Sequence, residues 1–151
     1  MVTLHPNTLP NQSLQLDNQL CFALYSASLA MTKLYKPLLE ALGLTYPQYL
    51  TLLVLWEKDG VTVSELGEHL GLDSGTLTPL LKRLETAGLV LRLRDTADER
   101  RVLIRLSANG RRLKTRAQHI PGCVLKALQC DVAEALALTR QVQALRARLS
   151  A

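Results

Sequence analysis

Between Thr62 and Leu106 the apolar residues change period, and that change constrains the fold more than any other feature of the chain. In "TVSELGEHLG" and "LDSGTLTPLLKRLETAG" they recur at helical spacing. Thr62 and Glu65 stand in capping-box spacing, Asp73 is placed to cap the second helix, and Gly71 and Gly88 stand where helices stop. Directly afterwards the spacing falls to two. Leu89, Leu91 and Leu93 alternate with Val90, Arg92 and Arg94, and Val102, Ile104 and Leu106 alternate with Arg101, Leu103 and Arg105. With the polar "DTADER" between them, these runs predict a β-hairpin with a charged tip. Two short helices on the tight turn "GLDSG", followed at once by a hairpin, have the order of a winged helix-turn-helix.

The flanks are helical. Residues 14–36 carry Leu16, Leu20, Leu24, Ala27, Met31 and Leu34 at spacings of three and four, and Pro37 is expected to bend or restart the helix. Thr45 caps a further helix with Pro47 in its first turn. Ser107 caps one running through about Arg116, Pro121 and Gly122 interrupt it, and Val124–Leu149 reads as a single helix. The expectation is therefore a mostly α protein with a small β-hairpin wing. A flexible arm, 1–13, precedes one domain, 14–151. Within that domain, 45–107 forms the winged helix, while 14–44 and 108–151 have more apolar surface than a monomer can cover. Such faces mark an association surface, so these terminal helices are assigned to a homodimer.

Charge points to the partner. Of 18 Lys and Arg, nine lie between Leu91 and Arg116, against three acidic residues there, and the whole chain carries +5. A concentrated basic stripe beside a helix-turn-helix fits double-stranded DNA, and a two-fold pair of such heads fits a pseudo-palindromic operator. The second short helix offers Ser74, Gly75, Thr76 and Thr78 to base edges and Lys82 and Arg83 to phosphates. Arg92, Arg94, Arg100 and Arg101 project from the hairpin. Asp98, two residues before Arg100, is placed to hold that guanidinium ready for a minor groove.

Other classes find less support. No apolar run approaches the roughly 20 residues of a membrane span, and the N-terminus lacks the basic start and apolar stretch of a signal peptide. A cytoplasmic location is expected, with the three cysteines as reduced thiols. His119, Cys123 and Cys130 match no zinc spacing, so neither metal nor cofactor is expected.

The stretch "DERRVLIRLSANG" resembles the wing signature of the MarR family of dimeric winged-helix transcription factors. Taken with "LDNQLCFALYSAS", "MTKLYKPLLEALGLTYPQYL" and "LDSGTLTPLLKRLE", the chain resembles, over about residues 14–122, the OhrR branch, repressors that sense organic hydroperoxides. The resemblance implies that Cys21 is the redox-sensing thiol and that Tyr35 and Tyr46 hydrogen-bond it. Tyr25, one turn from Cys21, is a third candidate phenol. On one straight helix Tyr35 lies 14 residues from Cys21, about 21 Å along the axis. Contact therefore requires two first helices running antiparallel in a dimer. Two-cysteine members place a resolving thiol at the position of Lys126. This chain instead offers Cys123 and Cys130, expected on one helix face, with Cys123 freed by the Pro-Gly break; a small cellular thiol is the third possibility. Phe22, Leu20, Leu24 and Trp56 are expected to give Cys21 an apolar lining that favours organic peroxides.

Two alternatives compete. A regulator of the same fold, released by a small aromatic ligand, needs no reactive thiol. A thiol peroxidase would use Cys21 in turnover, but no positioned Arg accompanies it and the DNA-binding half would be unexplained. An enzyme is accordingly not expected.

Overall fold

The computed structural model describes residues 12–150; residues 1–11 of the expected arm lie outside that range. A single 3-10 turn, Leu16–Asn18, leads into α1 (Leu20–Glu40), followed by α2 (Tyr46–Glu57), β1 (Val61–Thr62), α3 (Val63–Leu70) and α4 (Ser74–Thr86). The hairpin is β2 (Val90–Arg94) and β3 (Val102–Leu106). Helices α5 (Ala108–Ala117), α6 (Ile120–Leu128) and α7 (Val132–Leu149) complete the chain. Among the described residues, no helix is long and apolar enough to cross a membrane.

Local chemistry explains most boundaries. Thr45 and Gln48 form a reciprocal capping box: the Gln48 amide donates to Thr45 Oγ1, and the Thr45 amide to Gln48 Oε1. The side chains of Thr62, Asp73 and Ser107 cap α3, α4 and α5. At Thr62 the threonine half of the expected box forms, while the Glu65 carboxylate lies 3.9 Å from Arg101 Nη2. Gly71, at φ +65°, ends α3.

Three boundaries differ from expectation. The first helix begins at Leu20 rather than near residue 14. Gln19 Nε2 donates to the carbonyls of Ser13 and Gln15, and Asn18 Nδ2 to that of Gln12, so side-chain amides hold the entry in a tighter turn. Pro37 does not break α1, which continues to Glu40. Its missing N–H strands only the Lys33 carbonyl, and both residues are exposed to solvent. The expected single helix over Val124–Leu149 is two. Gln129 turns left-handed at φ 55°, and Asp131 then caps α7 by accepting from the Glu134 amide.

The sheet has three strands in the order β1-β3-β2, all antiparallel. Strand β1, two residues long, was not anticipated. It exists because β3 presents a free edge, pairing Val61 with Ile104 and Thr62 with Leu103. Asp59 Oδ1 closes the corner by accepting from the amides of Leu106 and Gly60. The core is aliphatic. Leu52, Leu66, Leu81, Leu84, Ile104 and Ile120 are fully enclosed, which draws α2, α3, α4, β3 and α6 around one centre.

Candidate functional site

The helix-turn-helix is close-packed at its turn. A Cβ added at Gly67 would sit 2.8 Å from the Leu72 carbonyl, so α3 and the chain entering α4 approach as glycine alone permits. Leu77, Leu80, Leu81 and Leu84 bury one face of α4. The opposite side presents Ser74, Gly75, Thr76, Thr78, Lys82 and Arg83, all exposed, so the residues expected to read DNA share an accessible surface. Thr78 Oγ1 donates back to the Ser74 carbonyl, 2.8 Å away. It therefore offers outward a methyl group and an acceptor rather than a free proton. Helix α4 continues through Pro79. Asp73 accepts from the Thr76 amide at 2.8 Å, and that bond holds its carboxyl below the usual carboxylate range.

The hairpin register decides where its arginines point. Val90 faces Leu106, Arg92 faces Ile104 and Arg94 faces Val102. Paired residues share a face, so Arg92 and Arg94 extend the core face outward, beyond Val90. Leu91 and Leu93, expected to be the apolar side, lie on the outer face opposite Arg105 and Leu103 and are 49% and 43% exposed. Alternation alone does not say which side is buried; Val90, Ile104 and Leu106 win because they meet the helices.

At the tip, Asp98 Oδ1 accepts from both Arg100 Nε, at 3.2 Å, and the Arg100 amide, at 3.1 Å. The guanidinium, 91% exposed, is the main influence keeping the Asp98 carboxyl below its ordinary range, and the amide adds to it. Arg100 is thus oriented by a local clamp while remaining open to a ligand. Arg101 is used differently, lying 3.8 Å from Asp95 Oδ2 and 3.9 Å from Glu65 Oε1, between the wing and α3. Arg94 Nη1 donates to the Glu99 carbonyl. Three other arginines of the basic stripe bond within the chain. Arg111 donates to the Leu106 carbonyl, Arg112 to Asn109, and Arg116 to the Ala41 carbonyl at the end of α1.

The thiol and the phenols lie apart within one chain. Cys21 is in the first turn of α1 and exposed, among Leu20, Phe22 and Tyr25, themselves exposed. Tyr35, fourteen residues along the same helix, packs its ring 5.0 Å from that of Tyr46 on α2. Tyr49, which sequence reasoning did not single out, completes the cluster at 6.0 Å from Tyr35 and 6.4 Å from Tyr46. Burial pushes the Tyr35 phenol up, and the neighbouring Tyr46 and Tyr49 reinforce it; burial and Tyr46 do the same to Tyr49. Both are held as neutral donors at physiological pH. Tyr25, 62% exposed, stands outside this cluster. Trp56 does too much elsewhere to line Cys21: its ring meets Tyr49 edge-on at 6.4 Å, and its indole N–H donates to the Gly110 carbonyl at 2.9 Å.

Cys123 and Cys130 do not share a helix face. Cys123 is exposed in the first turn of α6, and Cys130, half-buried, lies in the joint between α6 and α7. Along the 3-10 turn, α1 and α7 the apolar residues Leu16, Leu20, Leu29, Val132, Leu136 and Leu138 are exposed, and α7 has no buried residue.

Over 112 residues, 74% of this chain and 76% of the relative, the sequence is 58% identical to the organic hydroperoxide resistance transcriptional regulator of Bacillus subtilis. The chain belongs to the MarR family, in its organic hydroperoxide regulator branch. The pattern of the transcriptional regulator SarA/Rot family, a related winged-helix group, also matches residues 33–117 of this MarR-family chain. Among solved structures, that of reduced AbfR bound to DNA superposes with a TM-score of 0.78 at 36% identity, covering 91% of this chain and 97% of that one. AbfR, which comes from Staphylococcus epidermidis, has also been solved in a disulfide form; that structure gives a TM-score of 0.64 at 36% identity over 95% of this chain and 96% of its own. The winged-helix fold of the MarR family is thus the fold of this chain.

Proposed function

We propose that this protein is a dimeric, redox-sensing repressor that grips a pseudo-palindromic operator while Cys21 is reduced and releases it when an organic hydroperoxide oxidises that thiol. The observation that carries this reading is the placement of the phenols. Tyr35, half-buried and far along α1 from the Cys21 of the same chain, pairs with the more exposed Tyr46 at the start of α2. Two copies with antiparallel first helices would bring the Cys21 of one to the phenols of the other, and the exposed apolar residues of α1 and α7 suit such a pairing. The reading places the protein in the cytoplasm, beside DNA and among reduced thiols.

The chemistry balances without a cofactor. The Cys21 thiolate attacks the terminal oxygen of the hydroperoxide, forming an S–O bond as the O–O bond breaks. The sulfur is oxidised to the sulfenic acid and the peroxide is reduced to the alcohol, with phenolic protons positioned to serve the leaving oxygen. A second thiol, from Cys123, Cys130 or a small cellular thiol, then attacks the sulfenic sulfur, forming a disulfide and expelling water. Bridged Cα atoms must come within about 7 Å, so a protein disulfide displaces helices. On the DNA side, Ser74, Gly75, Thr76 and Thr78 face the major groove, Lys82, Arg83, Arg92 and Arg94 serve phosphates, and Arg100, held by Asp98, enters the minor groove, while Arg101, between Asp95 and Glu65, seats the wing against α3. The relative solved as a DNA complex and in a disulfide form supports both halves of this cycle.

The test is operator affinity at fixed salt with and without cumene hydroperoxide, for the wild-type chain and for Cys21→Ser. Release by the wild type and none by the variant is expected; a Cys21→Ser protein that still releases refutes the thiol mechanism. Cys123→Ser and Cys130→Ser, followed on a non-reducing gel, identify the resolving sulfur. One observation favours a second reading. A cavity of 280 Å³ lined by Tyr35, Lys36, Leu39, Glu40, Leu44 and Tyr46 suits a small aromatic ligand, and release through it would survive thiol blocking.

A further inference from the structure

We propose that Trp56 is a positioning residue that carries the state of the phenol cluster to the wing, holding Tyr49 on one side and the Gly110 carbonyl on the other. This rests on the thiol-switch reading above and adds the route by which the switch reaches DNA.

The route is continuous through the molecule. Tyr49 and Trp56 stand seven residues apart on α2, two turns along one face, with ring centroids 6.4 Å apart in an edge contact. Tyr49 meets both Tyr35 and Tyr46, so any repacking of those phenols around a modified sulfur presses first on its ring. At the far end of α2, the Trp56 indole N–H donates to the Gly110 carbonyl in the first turn of α5. That turn has no slack against the hairpin. A Cβ at Gly110 would lie 2.1 Å from the Leu89 carbonyl oxygen. The same carbonyl accepts from the Ser107 amide at 3.0 Å, and Ser107 Oγ donates to the Gly88 carbonyl at 2.6 Å. Residues 88 and 89 are the root of β2. A shift of Trp56 along or across α2 therefore moves the base of the wing with it, and Arg92, Arg94 and the Asp98–Arg100 clamp follow.

A phenylalanine would keep an aromatic ring against Tyr49, though a smaller one, and would lose the N–H. The indole adds a directed bond with one acceptor, 54 residues away in sequence, and that bond gives the contact a preferred geometry rather than mere bulk. Energetic coupling of this kind needs a measurement that separates it from packing, because proximity alone does not establish it.

The decisive quantity is the release factor, the operator affinity of reduced protein divided by that of protein whose Cys21 is fully oxidised, as verified by mass. Trp56→Phe is expected to leave reduced-state affinity within about threefold of wild type and to cut the release factor by about tenfold. Tyr49→Leu should cut it likewise, and the double variant should lose little more than either single one, as members of one route do. A loss of packing alone would lower both affinities together and leave their ratio unchanged. A Trp56→Phe release factor within about threefold of wild type, at equal Cys21 oxidation, overturns the proposal. Should the variants fail to fold, the wild type still decides. Trp56 is the sole tryptophan, so its emission should shift in step with DNA release, and an emission unchanged through complete Cys21 oxidation also overturns it. A wild type that keeps its DNA with Cys21 oxidised removes the switch reading as well, an outcome distinct from failure of the relay alone.

Discussion

Replacing Gly110 by alanine tests whether the wing is as tightly seated on α5 as the geometry requires. The added methyl would lie 2.1 Å from the Leu89 carbonyl oxygen and 3.2 Å from Leu106 Cδ2, where ordinary contact begins at 3.4 Å. The obstruction is backbone at the root of a paired strand, so relief requires α5 and β2 to separate by about an ångström. Overpacking of this kind costs about 1–3 kcal/mol. Separation also weakens the Ser107-to-Leu89 and Trp56-to-Gly110 hydrogen bonds, about 1 kcal/mol each. Alanine's better helix propensity returns about 1 kcal/mol. The net loss is about 3 kcal/mol, and for a chain of this size it lowers Tm by about 6–12 °C. Gly75→Ala is the control: it too is helical, but its methyl meets nothing nearer than Asp73 Oδ1 at 3.5 Å, so Tm should hold or rise slightly. Thermal unfolding at one protein concentration, because a dimer's Tm depends on it, compares the two. A Gly110→Ala Tm within about 2 °C of the Gly75→Ala value would refute the steric reasoning.

Two further outcomes follow from the tip and the phenols. Asp98→Asn should weaken operator binding by about threefold to tenfold while leaving Tm unchanged, since the clamp lies at the hairpin tip and orients Arg100 without supporting the core; equal affinity by fluorescence anisotropy at fixed salt would count against it. The folded Asp98 carboxyl lies below its unfolded value, so its clamp is present above the unfolded value and is lost as pH falls through the folded one. Between pH 6 and 8, about the physiological range, wing binding should not vary on its account. Tyr35 and Tyr49 are raised, so the stability of their neutral forms is present below about pH 10 and lost as pH climbs through the folded values. Ultraviolet titration should therefore show part of the phenolate absorbance appearing above that point, and Tyr35→Phe should remove one of the late steps.

Legibility in the sequence followed the range of each interaction. Caps at Thr45, Asp73 and Ser107 were readable because each bond spans three residues. Asp131 and Glu134 carried the same local signal, but an apolar pattern on both sides of it masked the joint. Strand β1 has no signature of its own, because two residues become a strand only beside a free edge. The arginines were visible as a stripe, yet which of them are tied back to the fold depends on carbonyls elsewhere in the chain, as Arg116 on Ala41 shows. The phenol cluster needed the crossing of α1 over α2, which no spacing encodes, and the Trp56 bond to Gly110 is farther still. Family resemblance supplied Tyr35 and Tyr46; it gave no hint of Tyr49.

On the proposed thiol switch, the left-handed residue between α6 and α7 has a mechanical corollary for a protein sulfur that captures oxidised Cys21. Cys123 is embedded in a rigid rod, so tension applied there is delivered whole to the helix that carries it. Cys130 sits on an elbow, where the same tug can be absorbed by bending before it reaches either arm. Two bonds of identical chemistry would thus throw the lever hard or softly, and their position along the chain alone sets how sharply peroxide is converted into gene expression.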